Sequence, residues 1–184
     1  MWTLPNLITL VRIIFIPLLV IAFYLPLNSK YLICASIFSL AAITDWLDGY
    51  LARKLNQTTP FGAFLDPVAD KLIVATALIL LLAENASAIF ALPTVVIIGR
   101  EIVISALREW MAEVGSRSSV AVSQIGKIKT TLQMTAIIVL LLFNPDQFIG
   151  LHYFGVCLLY GAAILTLWSM VIYLRAAWPE LSGK

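Results

Sequence analysis

Charge is what this chain has least of. Asp, Glu, Lys and Arg make up 12% of its 184 residues, about half the roughly 25% of a soluble domain. Hydrophobic residues reach 61% and the mean hydropathy is +0.99. That balance excludes an ordinary soluble fold and describes a polytopic membrane protein, read as one domain over 1–184. A net charge of +2 is too small to suggest a nucleic-acid partner. Cysteine occurs twice and histidine once, so zinc-site and disulfide spacings are missing. Cys34 and Cys157 lie far apart inside apolar stretches and read as buried spectator thiols. A basic n-region is also missing. The first apolar stretch, roughly Leu7 to Leu25, is longer than an h-region, and Leu25-Pro26-Leu27 is a poor cleavage site, so it reads as a true span.

What the chain does have is long apolar runs. Crossing the hydrocarbon takes about 20 mainly apolar residues in a helix. Six stretches qualify: about 5–26, 31–53, 64–85, 88–112, 124–143 and 151–175. Turn residues separate them at Pro26-Leu27-Asn28-Ser29, Glu84-Asn85-Ala86-Ser87 and Asn144-Pro145-Asp146. Backbone groups in lipid must be satisfied internally, and runs this long give helices, not barrel strands. Orientation follows from the basic residues. Arg53, Lys54 and Lys71 flank the second-to-third connection, Arg108, Arg117, Lys127 and Lys129 the fourth-to-fifth, and Arg175 and Lys184 mark the tail. On the opposite side Lys30 is the only basic residue in three connections. The expected fold is therefore an all-α membrane protein with six transmembrane helices and both termini cytoplasmic.

Against this scarcity, the stretch DWLDGYLARKLNQTTPFGAFLDPVAD, residues 45 to 70, holds four of the ten acids. On a helix Asp45 and Asp48 share a face, which Gly49 and Ala52 continue in small residues. Gly62, Asp66 and Asp70 form a second stripe on the next helix. A short connection broken by Pro60 lets the two helices run antiparallel, so the stripes meet near the cytoplasmic surface. Acids inside spans cost roughly 2.5–3.5 kcal/mol each at a helix centre. Clustered carboxylates also raise one another's pKa unless positive charge joins them. Lys54 and Lys71 are too peripheral to supply it. An all-oxygen site without His or Cys suits Mg²⁺, Mn²⁺ or Ca²⁺. Two such ions roughly 3.5–4 Å apart would serve phosphoryl chemistry.

The pattern Asp45-x2-Asp48-Gly49-x2-Ala52-Arg53-x8-Gly62-x3-Asp66-x3-Asp70 resembles the signature of the CDP-alcohol phosphotransferases, with every fixed position present. Beyond it, Pro5 to Arg12, Gly99-Arg100-Glu101 through Arg108-Glu109, and Gly126 to Thr130 resemble the bacterial phosphatidylglycerophosphate synthases of that family almost end to end. The resemblance implies transfer of the phosphatidyl group of CDP-diacylglycerol to sn-glycerol 3-phosphate at the cytoplasmic face of the bacterial inner membrane. It also implies two divalent cations, Mg²⁺ or Mn²⁺. In that reading Asp45, Asp48, Asp66 and Asp70 bind metal, Asp66 bridges, and Asp70 is the candidate base. Asn6, Thr9, Asp48, Gly49, Ala52, Arg53 and Gly62 contact CDP-diacylglycerol, with Arg53 matching phosphate oxygens. Members of the family often dimerise through transmembrane helices; no motif here marks the surface.

The acceptor phosphate needs a second basic cluster, for which Arg108, Lys127, Lys129 and the more buried Arg100 are the candidates. Each also has a plainer role as a topology-setting charge, as Arg117 does. Arg12 is read as a structural partner facing the acids. Trp2, Trp168, Trp178 and Tyr173 read as interfacial anchors, Glu109 and Glu113 as solvated, and Gly161 as a close-packing position. His152 falls on the far side from the acids. Two alternatives remain: the same chemistry with inositol phosphate, serine or phosphatidylglycerol as acceptor, or a cation transporter. A transport path would carry acids across the bilayer, whereas Glu84 and Asp146 sit in outer connections.

Overall fold

The computed structural model describes residues 4–55, 59–114, 124–144 and 146–182. Among the described residues there are six helices: α1 (Leu4–Tyr24), α2 (Lys30–Leu55), α3 (Pro60–Asn85), α4 (Ala88–Glu113), α5 (Gln124–Leu142) and α6 (Ile149–Leu181). Three segments, Asn6–Tyr24, Ala88–Glu113 and Ile149–Trp178, are long and apolar enough to cross a membrane. Helices α2 and α3 have the length, 26 residues each, but carry the charged signature. At 1.5 Å per residue such helices reach past a hydrocarbon core of about 30 Å, which leaves room for charge at one end.

Boundaries follow local chemistry. Helix α3 starts at Pro60, four residues before the apolar run at 64. The Thr59 hydroxyl accepts from the Gly62 N–H at 3.0 Å, an N-cap with proline at the first helical position. At the other end, Asn85 Nδ2 donates to the Leu81 carbonyl at 2.8 Å and Ala86 turns the chain with φ 30°. The Ser87 carbonyl then receives the Phe90 and Ala91 N–H groups.

The chain forms two compact units, Met1–Asn85 with Ile137–Tyr153, and Ala86–Ala136 with Phe154–Lys184. In the first, α1 lies against both α2 and α3, which touch each other. Its core includes Leu19, Phe38, Ala77, Leu78 and Leu81. Lys30 pairs with Glu84 at 2.9 Å, and the Tyr31 hydroxyl donates to the same carboxylate at 3.0 Å. The hydrogen bond from Lys30 to Glu84 pushes the Lys30 ammonium above its ordinary range. His152 is buried, with Nδ1 3.2 Å from the Phe143 carbonyl.

The second unit has an apolar core at Ile97, Ile104, Leu159 and Ala162, and it also buries Arg100, Lys129, Thr166 and Ser169. Large apolar side chains face outward on several helices, Val95 (67% exposed), Ile102 (64%) and Ile164 (64%) among them. Water penalises such faces and hydrocarbon does not, so these are surfaces of a membrane protein. The same inversion corrects one expectation: Cys34 is buried, but Cys157 is exposed on α6. Gly161 is a second correction, because a Cβ there would meet nothing within 4 Å among the described residues.

Candidate active site

Helix α1 carries a polar stripe at Asn6, Thr9 and Arg12, spaced by three so that they share a face. All three are buried, at 3%, 1% and 0% exposure. The Asn6 amide nitrogen donates to the Thr59 hydroxyl at 2.9 Å. The Thr9 hydroxyl donates to Asp66 Oδ1 at 2.6 Å. Arg12 Nη1 donates to Asp70 Oδ1 at 2.5 Å and lies 3.2 Å from Asp45 Oδ1. Three of the four signature aspartates, from two helices, are thus tethered to a third. Asp45 and Asp70 keep 42% and 38% of their side chains exposed while Arg12 has none. The acids open on one side and the guanidinium closes the other.

Asp48, Gly49, Ala52 and Arg53 lie on the continuous α2, one to two turns beyond Asp45, with side chains outside the described set. Gly62 has a specific reason to be glycine. A Cβ there would collide with Asn6 Oδ1 and lie 3.2 Å from Thr59 Oγ1. Gly62→Ala is expected to cost about 1–3 kcal/mol of stability, the usual range for overpacking. A thermal melt in detergent that matches wild type would contradict this. Pro67, next to Asp66, lies inside α3; it removes an N–H and leaves the Ala63 carbonyl without its helical donor.

Do these residues suit a metal? Among the described residues no cluster of three His, Cys, Asp or Glu has the arrangement of a metal site, and the Asp48 side chain is outside that set. What the described residues do show is carboxylates from α2 and α3 converging on one cationic nitrogen, with all-oxygen donors. That donor chemistry fits a hard divalent cation and not zinc or copper.

In the second unit the basic candidates form a connected set. Glu101 Oε1 accepts from Arg100 Nη1 at 3.1 Å and from Lys129 Nζ at 2.8 Å. Arg100 Nη2 donates to the Ser169 hydroxyl at 3.1 Å. Arg108 is exposed and donates to the Tyr173 hydroxyl at 3.0 Å. Both guanidinium groups lie over the Tyr173 ring, at 5.7 Å for Arg100 and 5.2 Å for Arg108. Burying Arg100 and Lys129 is tolerable because a carboxylate joins them. Lys127 is on the same stretch of α5 with its side chain outside the described set. Tyr173, expected as a membrane-surface anchor, instead organises two arginines. Ser169 and Thr59 are not marked by the sequence pattern as site residues. The one available signal was spacing, since Ser169 and Tyr173 are four apart on α6 and share a face. Trp168 and Trp178 are exposed, and so are Glu109 and Glu113, while Trp2 and Arg117 lie outside the described residues.

Comparison with known proteins gives the family. The family described as CDP-alcohol phosphatidyltransferase matches residues 2–168. The chain is 56% identical over 178 residues to a CDP-diacylglycerol–glycerol-3-phosphate 3-phosphatidyltransferase of Pseudomonas fluorescens, covering 96% of this chain and 91% of that one. Proteins of the same name from Salmonella choleraesuis and Shigella flexneri are 56% and 54% identical over 180 residues, covering 98% of this chain and 97% of theirs.

Proposed function

The chain belongs to the CDP-alcohol phosphatidyltransferase family, and from that premise we propose the activity, topology and site roles that follow. It is a transferase of phospholipid biosynthesis: CDP-diacylglycerol and sn-glycerol 3-phosphate give phosphatidylglycerophosphate and CMP. What supports this most is identity of 54–56% with relatives of that one name across nearly the whole chain.

The primary hydroxyl of glycerol 3-phosphate attacks the phosphorus that carries the diacylglycerol. The bond from that phosphorus to the CMP oxygen breaks, and CMP leaves with the electron pair. Such transfer needs positioning and charge neutralisation more than covalent help. Asp45, Asp48, Asp66 and Asp70 would hold two divalent cations, Mg²⁺ or Mn²⁺. Bound there, the cations neutralise charge on the pyrophosphate and the leaving CMP. Asp70 takes the proton of the attacking hydroxyl. Thr9 holds one oxygen of Asp66, and Arg12 one oxygen each of Asp45 and Asp70, which fixes the rotamers of the acids. Gly49 and Ala52 leave space for the nucleotide, Arg53 binds its phosphates, and Asn6, seated on Gly62, lines the same region. Arg108, Lys127 and Lys129, with Arg100 behind them, hold the acceptor phosphate.

The six helices cross the bacterial inner membrane as one domain, with both termini and the aspartates at the cytoplasmic face. The basic connections and the reach of α2 and α3 beyond the hydrocarbon support this reading. The acceptor assignment is tested by supplying purified protein and CDP-diacylglycerol with different alcohols. CMP release is expected with glycerol 3-phosphate and at least tenfold less with glycerol, serine or inositol phosphate. Equal release with an unphosphorylated acceptor would move the chain to another member activity of the family.

A further inference from the structure

One guanidinium nitrogen serves two carboxylates that come from different helices. Arg12 Nη1 reaches Asp70 on α3 and Asp45 on α2, and Arg12 itself is 0% exposed. A fully buried arginine is costly unless it is paired, and these two carboxylates pair it. Both acids remain more than a third open on their other side. Thr9, one turn earlier, holds Asp66 through a neutral hydroxyl. The stripe on α1 therefore treats its carboxylates differently: one is oriented without added charge, two are oriented by a shared positive charge.

We propose that Arg12 is a positioning residue that stands in for part of the metal charge. It keeps Asp45 and Asp70 together while no divalent cation is bound, and it shares their negative charge with the cation afterwards. Two consequences follow by electrostatics. The metal-free site is preformed instead of splayed by repulsion. The cation also binds less tightly than it would to the same acids alone, because a fixed positive charge already faces them. The inference rests on the divalent-cation reading given above.

The test is thermal melting of the purified protein with and without Mn²⁺, for wild type, Arg12→Met and Arg12→Lys. A ligand that binds only the folded state raises stability in proportion to the logarithm of its concentration over its dissociation constant. Without metal, Arg12→Met is expected to melt below wild type. Saturating Mn²⁺ is expected to raise its melting temperature at least twice as much as it raises that of wild type, with the apparent Mn²⁺ dissociation constant severalfold lower. Arg12→Lys keeps the charge and loses the planar fork. It should show a metal increment near that of wild type, with CMP release at saturating metal at least fivefold lower. Equal Mn²⁺ increments for wild type and Arg12→Met would overturn the proposal and leave Arg12 a packing residue. If Arg12→Met does not fold, Arg12→Lys decides, and unchanged turnover would overturn the proposal. Wild type with no Mn²⁺ increment would instead overturn the metal reading beneath it.

Discussion

Asp66→Asn is expected to abolish CMP release, on the order of 10³-fold or more, while leaving the fold intact. The asparagine carbonyl can still accept the Thr9 hydroxyl now 2.6 Å from Oδ1, and the side-chain volume is nearly unchanged. What is lost is one negative charge from the all-oxygen donor set, and with it the bridging position proposed for this residue. A divalent cation contributes several kcal/mol of charge stabilisation in the transition state, and each 1.36 kcal/mol is tenfold in rate. A melt matching metal-free wild type, together with lost turnover and a lost Mn²⁺ increment, is the expected combination. Asp146→Asn, in an exposed connection, is the control and should release CMP at the wild-type rate. Asp66→Asn turnover within fivefold of wild type would remove Asp66 from the reaction.

The second large effect concerns the acceptor. Arg108→Ala and Lys129→Ala are each expected to raise the glycerol 3-phosphate KM roughly 10- to 100-fold, the range of one charge-assisted hydrogen bond, with kcat changed much less. The two variants should differ in stability. Lys129 is buried against the half-buried Glu101 at 2.8 Å, so its truncation removes a partner from that carboxylate and lowers the melting temperature. Arg108 is exposed, and its loss should leave the melt unchanged, since exposed pairs contribute little. An unaltered KM in both variants would sink the acceptor assignment, and the pairing with Glu101 and Tyr173 would then be only structural.

The acid constellation was legible because it depends on short spacings. Asp45 with Asp48, and Gly62 with Asp66 and Asp70, share helix faces by periodicity alone. The tether that brings three of the acids together is legible only in part: Arg12 is expected to face the acids and does, but the sequence does not say which acids it meets or that Thr9 holds Asp66. Its contacts join residues 57 and 58 positions apart, and periodicity says which face a residue occupies but not what meets it. For Asn6 and Thr9, expected as substrate contacts, the structure adds partners within the protein, Thr59 and Asp66. The role of Tyr173 was hidden in the same way, 65 positions from Arg108. Cys157 was misjudged for a different reason. In hydrocarbon an apolar neighbourhood no longer means burial, because the outward face is as oily as the core. The start of α3 was available in Thr59-Pro60, a cap and first-turn pair, but the apolar run begins later and drew the boundary to 64.

The most direct measurement is product formation by the purified, full-length protein in lipid or detergent, with CDP-diacylglycerol, glycerol 3-phosphate and Mg²⁺ or Mn²⁺. The expected result is CMP and phosphatidylglycerophosphate formed one to one, dependent on the acceptor and abolished by a chelator. No CMP release under these conditions, with cation flux through reconstituted vesicles instead, would contradict the assignment and return the aspartates to a transport path.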